Sequence, residues 1–175
     1  VQLGIPDNGA LLNLNALERR NKLKGINYVS VEKIGRHKVD SLIKIIQLFA
    51  KRQDATDLAL EMELLNLKYN LSNQTPEFIL QRLLELDSST EAINKPMHVQ
   101  FKYLLGSALM STGRFSEGLY ELFNARHLLK NGISDPETQY DVTNAIANYA
   151  YRKQRFNLSK QFFKECINTR FNSDK

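Results

Sequence analysis

The chain has 175 residues, a net charge of +5, a single cysteine and no tryptophan. That length fits one domain or one piece of a longer protein, and it buries roughly 70% of the unfolded surface without needing a disulfide or a metal. Cys166 cannot pair within the chain, and no apolar run is long enough to span a bilayer.

The charge is uneven. Residues 1–38 carry seven Lys/Arg against three acids, residues 39–151 ten against fourteen, and residues 152–175 seven against two. Basic ends around an acidic middle can mark a contact with nucleic acid or an anionic surface, although solvated helix faces produce the same pattern. No aromatic-interleaved basic motif points to single-stranded nucleic acid. The first residues, VQLGIPDNG, resemble neither a signal peptide nor a natural start, so a processed or trimmed chain is expected.

Residues 1–36 are expected to be an N-terminal segment that caps the helical domain. Leu11, Leu12, Leu14 and Leu17 suggest a short helix, and INYVSVEKI is a strand-like connector or another helix. From residue 37 the pattern is helical. HKVDSLIKIIQLFAKR has a stripe of Val39, Leu42, Ile43, Ile46, Phe49 and Ala50, which Ile45 and Leu48 widen, so cover on more than one side is expected. DATDLALEMELLNLKY carries two stripes, one of Ala55, Leu58, Met62, Leu65 and Tyr69 and one of Leu60, Leu64 and Leu67. Thr75, Pro76 and Glu77 read as N-cap, first helical position and first-turn acid. A short helix EFILQRLLEL then gives way to a polar loop, DSSTEAINKP, with Pro96 opening the next helix. Ser134 or Asp135 with Pro136 repeats the capping grammar.

Residues 99–130 laid over residues 140–171 reveal a period of 41. Leu105-Gly106 falls over Ile146-Ala147, Arg114-Phe115 over Arg155-Phe156, Gly118 over Ser159, Leu122 over Phe163 and Ala125 over Cys166. Each unit reads as helix, tight turn and second helix. Gly106 and Gly118 suit a close helix crossing, and Gly113 suits the turn, where a positive φ is cheap only for glycine. The segment LFAKRQDATDLALEMELL reads as a more eroded unit anchored by Leu58, Met62 and Leu65. The expected class is all-α, with antiparallel helix pairs stacked in succession over residues 37–175.

The spacing of Leu105, Gly106, Leu109, Gly113, Phe115, Gly118, Leu122 and Ala125 resembles the tetratricopeptide repeat (TPR) family. Ile146, Ala147, Ala150, Phe156, Ser159, Phe163 and Cys166 resemble it more loosely. Lys102 and Thr143 stand where that family prefers a large aromatic, and the period of 41 exceeds its 34. The repeats also look like those of bacterial signalling proteins, including extracytoplasmic sensor regions of some diguanylate cyclases and regions of large transcription activators. The resemblance implies a non-catalytic module whose first helices line a groove for a protein or peptide partner, or for a neighbouring domain. The groove positions would be Gln100, Tyr103, Ser107, Met110 and Ser111 in one unit and Asp141, Asn144, Asn148, Tyr151 and Arg152 in the other. It implies an extracytoplasmic location if the sensor likeness holds, and a cytoplasmic one otherwise.

No reaction is legible. His37, His98 and His127 stand alone at no metal-ligand spacing, Cys166 falls on a small-residue core position, and there is no phosphate-binding glycine loop. No catalytic residue, metal or cofactor is expected. The rival to partner binding is contact with nucleic acid or an anionic surface through the basic ends, including Arg19, Arg20, Lys22 and Lys24.

Overall fold

The structure is a computed structural model and describes residues 11, 13–15, 18–19, 35–70, 74–93, 95–133 and 135–172. Among these residues the fold is all-α and contains no strand. The chain divides into two compact units, residues 1–73 and 74–175.

The first unit contains α1 (Arg36–Arg52) and α2 (Thr56–Asn70), packed as an antiparallel pair. Val39, Ile43, Ile46 and Ala50 of α1 meet Leu58, Met62 and Tyr69 of α2 in one core, and Leu11 from the N-terminal segment is buried in the same cluster. Both stripes of α2 are covered, since Leu60, Leu64 and Leu67 are buried as well. The wider cover expected for α1 is not found. Ile45 and Leu48 are 53% and 58% exposed, because the 100° step per residue turns them away from the one stripe that α2 covers.

The N-terminal segment is tied down by polar contacts that hydrophobic spacing did not reveal. Asn15 and Glu18 form a reciprocal capping box, each side chain accepting the other's backbone N–H at 3.0 Å, and Glu18 and Arg19 are helical. One turn on, Arg19 is buried against α2, its Nε 2.9 Å from Glu61 Oε2 and its Nη2 paired with Asp57. Leu12, Leu17, Arg20, Lys22, Lys24 and the INYVSVEKI connector lie outside the described residues.

The second unit contains α3 (Pro76–Ile93), α4 (Lys95–Ser111), α5 (Phe115–Lys130), α6 (Pro136–Arg152) and α7 (Phe156–Asn172). The caps follow the sequence. Thr75 Oγ1 accepts from the Phe78 N–H at 3.3 Å, and Asp135 Oδ1 accepts from the Thr138 N–H at 3.3 Å. The polar loop expected after residue 86 is instead the last two turns of α3. Asp, Ser and Thr each cost only about 0.5–0.7 kcal/mol in a helix and Glu91 and Ala92 are good helix formers, whereas Pro96 suits only the start of the next one.

The period of 41 holds in the backbone for three of the four helix bounds of the two hairpins, and α7 ends one residue past the counterpart of Lys130. Adding 41 to Lys95, Ser111 and Phe115 gives Pro136, Arg152 and Phe156, the matching bounds of the second hairpin. The turns share their hydrogen bonds as well. Thr112, Gly113 and Arg114 N–H donate to Ala108, Met110 and Leu109 carbonyls at 3.0, 3.2 and 2.9 Å; Lys153, Gln154 and Arg155 donate to Tyr149, Tyr151 and Ala150 at 3.0, 2.9 and 2.9 Å. The α1–α2 turn repeats the pattern a third time, with Gln53, Asp54 and Ala55 donating to Phe49, Lys51 and Ala50. The middle residue of each turn is left-handed: Asp54 at φ 52°, Gly113 at 83° and Gln154 at 58°. The α1–α2 pair thus shares the turn, and the expected anchors Leu58 and Met62 are buried in its core with Leu65 packed against them. In the register set by the turn, Ala59 occupies the place of Gly118, and its N–H donates to Ala55 as that of Gly118 donates to Arg114.

The α4–α5 hairpin closes on small residues. A Cβ on Gly106 would lie 2.9 Å from the Gly118 carbonyl oxygen and 2.9 Å from Leu122 Cγ. In the α1–α2 pair the residues at the positions of Gly106 and Leu122 are Gln47 and Glu63, which hydrogen-bond at 2.8 Å. A polar contact thus replaces close packing in that unit. In the second unit α5 packs on α6, and Val99, Leu122, Ala125, Val142, Ile146, Ala147 and Phe162 make a core shared by both hairpins. Successive hairpins sharing a core is the arrangement expected of a helical repeat.

Candidate partner-binding surface

Lys102 and Thr143, which correspond across the period of 41, have different settings. Lys102 Nζ is 3.0 Å from Glu121 Oε2, an ion pair that ties α4 to α5 with both side chains mostly buried. Its counterpart Thr143 is fully buried, and its hydroxyl oxygen has no hydrogen-bond partner among the described residues. A second bridge runs between the hairpins, from Arg126 Nη2 to Glu165 Oε2 at 2.7 Å, with the Arg126 guanidinium 5.1 Å from the Phe162 ring centre.

The predicted groove positions fall on one face each of α4 and α6, as helical spacing requires. They are not equally available. On α4, Tyr103 and Met110 are packed against the shared core, and Gln100 and Ser107 are half-buried. The hydroxyl of Ser111 donates to the Ser107 carbonyl at 2.9 Å. On α6, Asp141 and Asn144 are half-buried, while Asn148, Tyr151 and Arg152 are exposed. Tyr151 is 59% exposed and its ring meets Phe156 edge-on at 5.6 Å, so an aromatic pair stands at the turn end of this face.

Other groups of possible chemical interest have ordinary settings. Cys166 is buried, and that burial first, then the Glu165 carboxylate, pushes its thiol up to about 11. Such a thiol is a poor nucleophile. His37 and His127 are exposed, and His98 stacks near Phe101. The described residues contain no group of three His, Cys, Asp or Glu side chains that could hold a metal, and none of their helices is long and apolar enough to cross a membrane. Arg19, one of the basic-end residues, is spent on Asp57 and Glu61 rather than facing solvent.

Two clefts of the second unit were not visible in the sequence. One of about 390 Å³ lies between α5 and the α6–α7 hairpin, and one of about 410 Å³ lies between α3 and the α4–α5 hairpin. None of the groove residues predicted on α4 and α6 lines either of them.

No protein-family model matches the chain, and no curated protein matches it.

Proposed function

We infer that the protein is a non-catalytic, TPR-like helical-repeat module that binds a protein or peptide partner, serving as the interaction or sensor region of a larger signalling protein. The observation that carries this reading is the exposed face of α6. Asn148, Tyr151 and Arg152 project from successive turns of a helix whose other side is locked into the shared core. Asn148 offers both a donor and an acceptor to an extended backbone, Arg152 offers a fork for a carboxylate, and Tyr151 with Phe156 offers rigid apolar area. The backbone beneath this face is held by the shared core, so ordering on binding falls on the side chains alone. Nothing about it supplies a nucleophile and base within reach of each other, which is what a reaction would need.

Site-specific photo-crosslinking tests this. With benzoylphenylalanine at Asn148 in cells of the source organism, one discrete protein adduct is expected, and Tyr151→Ala in the same chain should remove it. A pattern no different from that of a crosslinker at the exposed Lys130 on α5 would overturn the reading.

A further inference from the structure

The two clefts occupy equivalent places in the repeat but differ in charge. Leu105, Leu109 and Arg114 of the first correspond, 41 residues on, to Ile146, Ala150 and Arg155 of the second. In the first cleft both cations are answered within the fold. Arg114 Nε donates to Glu117 Oε1 at 2.8 Å, and Lys102 pairs with Glu121. In the second, the residues standing for Glu117 and Glu121 are Leu158 and Phe162, and Lys153 has been added where the first has Thr112. Arg155 and Lys153 therefore have no carboxylate partner among the described residues. Lys153 Nζ instead sits 4.8 Å from the Phe115 ring centre and 5.8 Å from that of Tyr149.

The rest of the second cleft is apolar and open. Ile146 and Ala150 form a buried floor, and the walls include Phe123 and Leu158, which are 45% and 39% exposed. One hairpin thus keeps its ion pairs to itself, while the other exchanges one carboxylate for the apolar cleft wall of Leu158 and the other for the core residue Phe162, and leaves two cations at the edge. Cation–π contact holds the Lys153 ammonium in place without neutralising it. What complements such a site is an apolar side chain flanked by carboxylates. An unenclosed cleft of about 390 Å³ suits one or two side chains of a peptide better than a small metabolite, which needs most of its surface buried.

We propose that the cleft between α5 and the α6–α7 hairpin is a docking site for an acidic peptide segment of a protein partner. A leucine or phenylalanine of the segment seats on Ile146, Ala150 and Leu158, and its flanking Asp or Glu carboxylates meet Lys153 and Arg155. This site is separate from the Asn148–Tyr151 face and stands whether or not that face is used.

The test is fluorescence anisotropy on the intact protein with a panel of fluorescein-labelled twelve-residue peptides. Each carries a central leucine or phenylalanine flanked by Asp and Glu, with companions in which Lys replaces the acids or Ala replaces the apolar residue. Acidic, apolar peptides should bind saturably, and both companions at least tenfold more weakly. Leu158→Glu, which recreates the Arg–Glu pair of the first hairpin, and Arg155→Glu should each weaken binding at least tenfold without moving the thermal midpoint. Asn148→Ala with Tyr151→Ala should leave it within twofold. Equal binding of acidic and basic peptides, or full affinity in Leu158→Glu, would overturn the proposal. So would tighter binding of a single-stranded oligonucleotide that displaces the peptide, since the site would then belong to nucleic acid.

Discussion

The hydroxyl of Ser159 donates to the carbonyl oxygen of Ala147 at 3.0 Å across the α6–α7 crossing. In the preceding hairpin the same two positions are Gly118 and Gly106, and a Cβ on Gly118 would lie 2.7 Å from the Gly106 carbonyl. One crossing is closed by omitting a side chain, and the other by a side chain that bonds to the carbonyl it meets. This substitution of a hydrogen bond for a bare backbone contact is why a glycine and a serine hold equivalent places.

The two crossings should respond differently to mutation. A Cβ on Gly118 would also lie 2.5 Å from Met110 Cγ, so Gly118→Ala should destabilise by about 1–3 kcal/mol and Gly118→Leu by more. Ser159→Ala removes one hydrogen bond and should cost about 0.5–1.5 kcal/mol. Urea midpoints of the three variants check the order, and a Gly118→Leu protein as stable as the parent would contradict the crossing geometry.

The turns make opposite forecasts at equivalent positions. Gly113 has φ 83° with open space where its Cβ would be, so Gly113→Ala should cost about 1 kcal/mol from backbone conformation alone. Gln154, at φ 58°, already bears that cost, and Gln154→Gly should relieve part of it. Thermal midpoints should therefore fall for Gly113→Ala and hold or rise for Gln154→Gly.

Lys102 and Glu121 should behave as a unit. Removing either alone leaves a mostly buried charge without its partner and should cost about 1–3 kcal/mol. The double change Lys102→Met, Glu121→Leu should recover most of that, because desolvation of both charges is avoided. A double-mutant cycle in urea that shows simple additivity would mean that the pair is not coupled.

Cys166 should add an alkaline dependence to stability. Its thiol is raised in the fold, to about 11 from an ordinary 9.0, so folding favours the protonated form. Below pH 9 both states hold the proton and the contribution is complete. As pH rises from 9 toward 11 the unfolded chain releases the proton first, and stability falls. Cys166→Ala should lose less stability than the parent over that interval, measured as the change in urea midpoint. Alkylation of the native thiol should be slow at neutral pH and fast in denaturant.

Much of the fold was legible because its determinants are local. Proline after Thr75 and Asp135, small residues at Gly118 and Ser159, and the 41-residue spacing all act within a helix or a turn. The continuation of α3 through residues 87–93 was not, because polar residues of middling propensity fit a helix or a loop equally until the following proline decides. The capping box of Asn15 and Glu18 is an Asn-x-x-Glu signal masked by the leucine spacing around it. The ion pairs of Lys102, Arg126 and Arg19 join residues 19 to 42 positions apart, which no periodicity encodes.

The candidate surface divides in the same way. The resemblance of the repeats, and not periodicity alone, implied Asn148, Tyr151 and Arg152 as groove positions. It could not reveal that Tyr103 and Met110, at the matching positions of α4, would be drawn against the shared core. The cleft beside Lys153 and Arg155 forms only where α5 meets the next hairpin, so its walls come from three helices. Its one sequence signal lies in the repeat alignment, where Leu158 stands over Glu117 and Phe162 over Glu121.

The central claim is that the α6–α7 hairpin recognises a protein ligand. Amide chemical-shift mapping of the ¹⁵N-labelled intact chain, titrated with the tightest acidic peptide of the panel, tests it most directly. Saturable shifts should cluster at Lys153, Arg155, Leu158 and the facing Leu119 and Phe123, with Asn148 and Tyr151 moving only if the partner also spans the α6 face. Shifts scattered over α1 and α2, or none at a hundredfold excess of peptide, would contradict it.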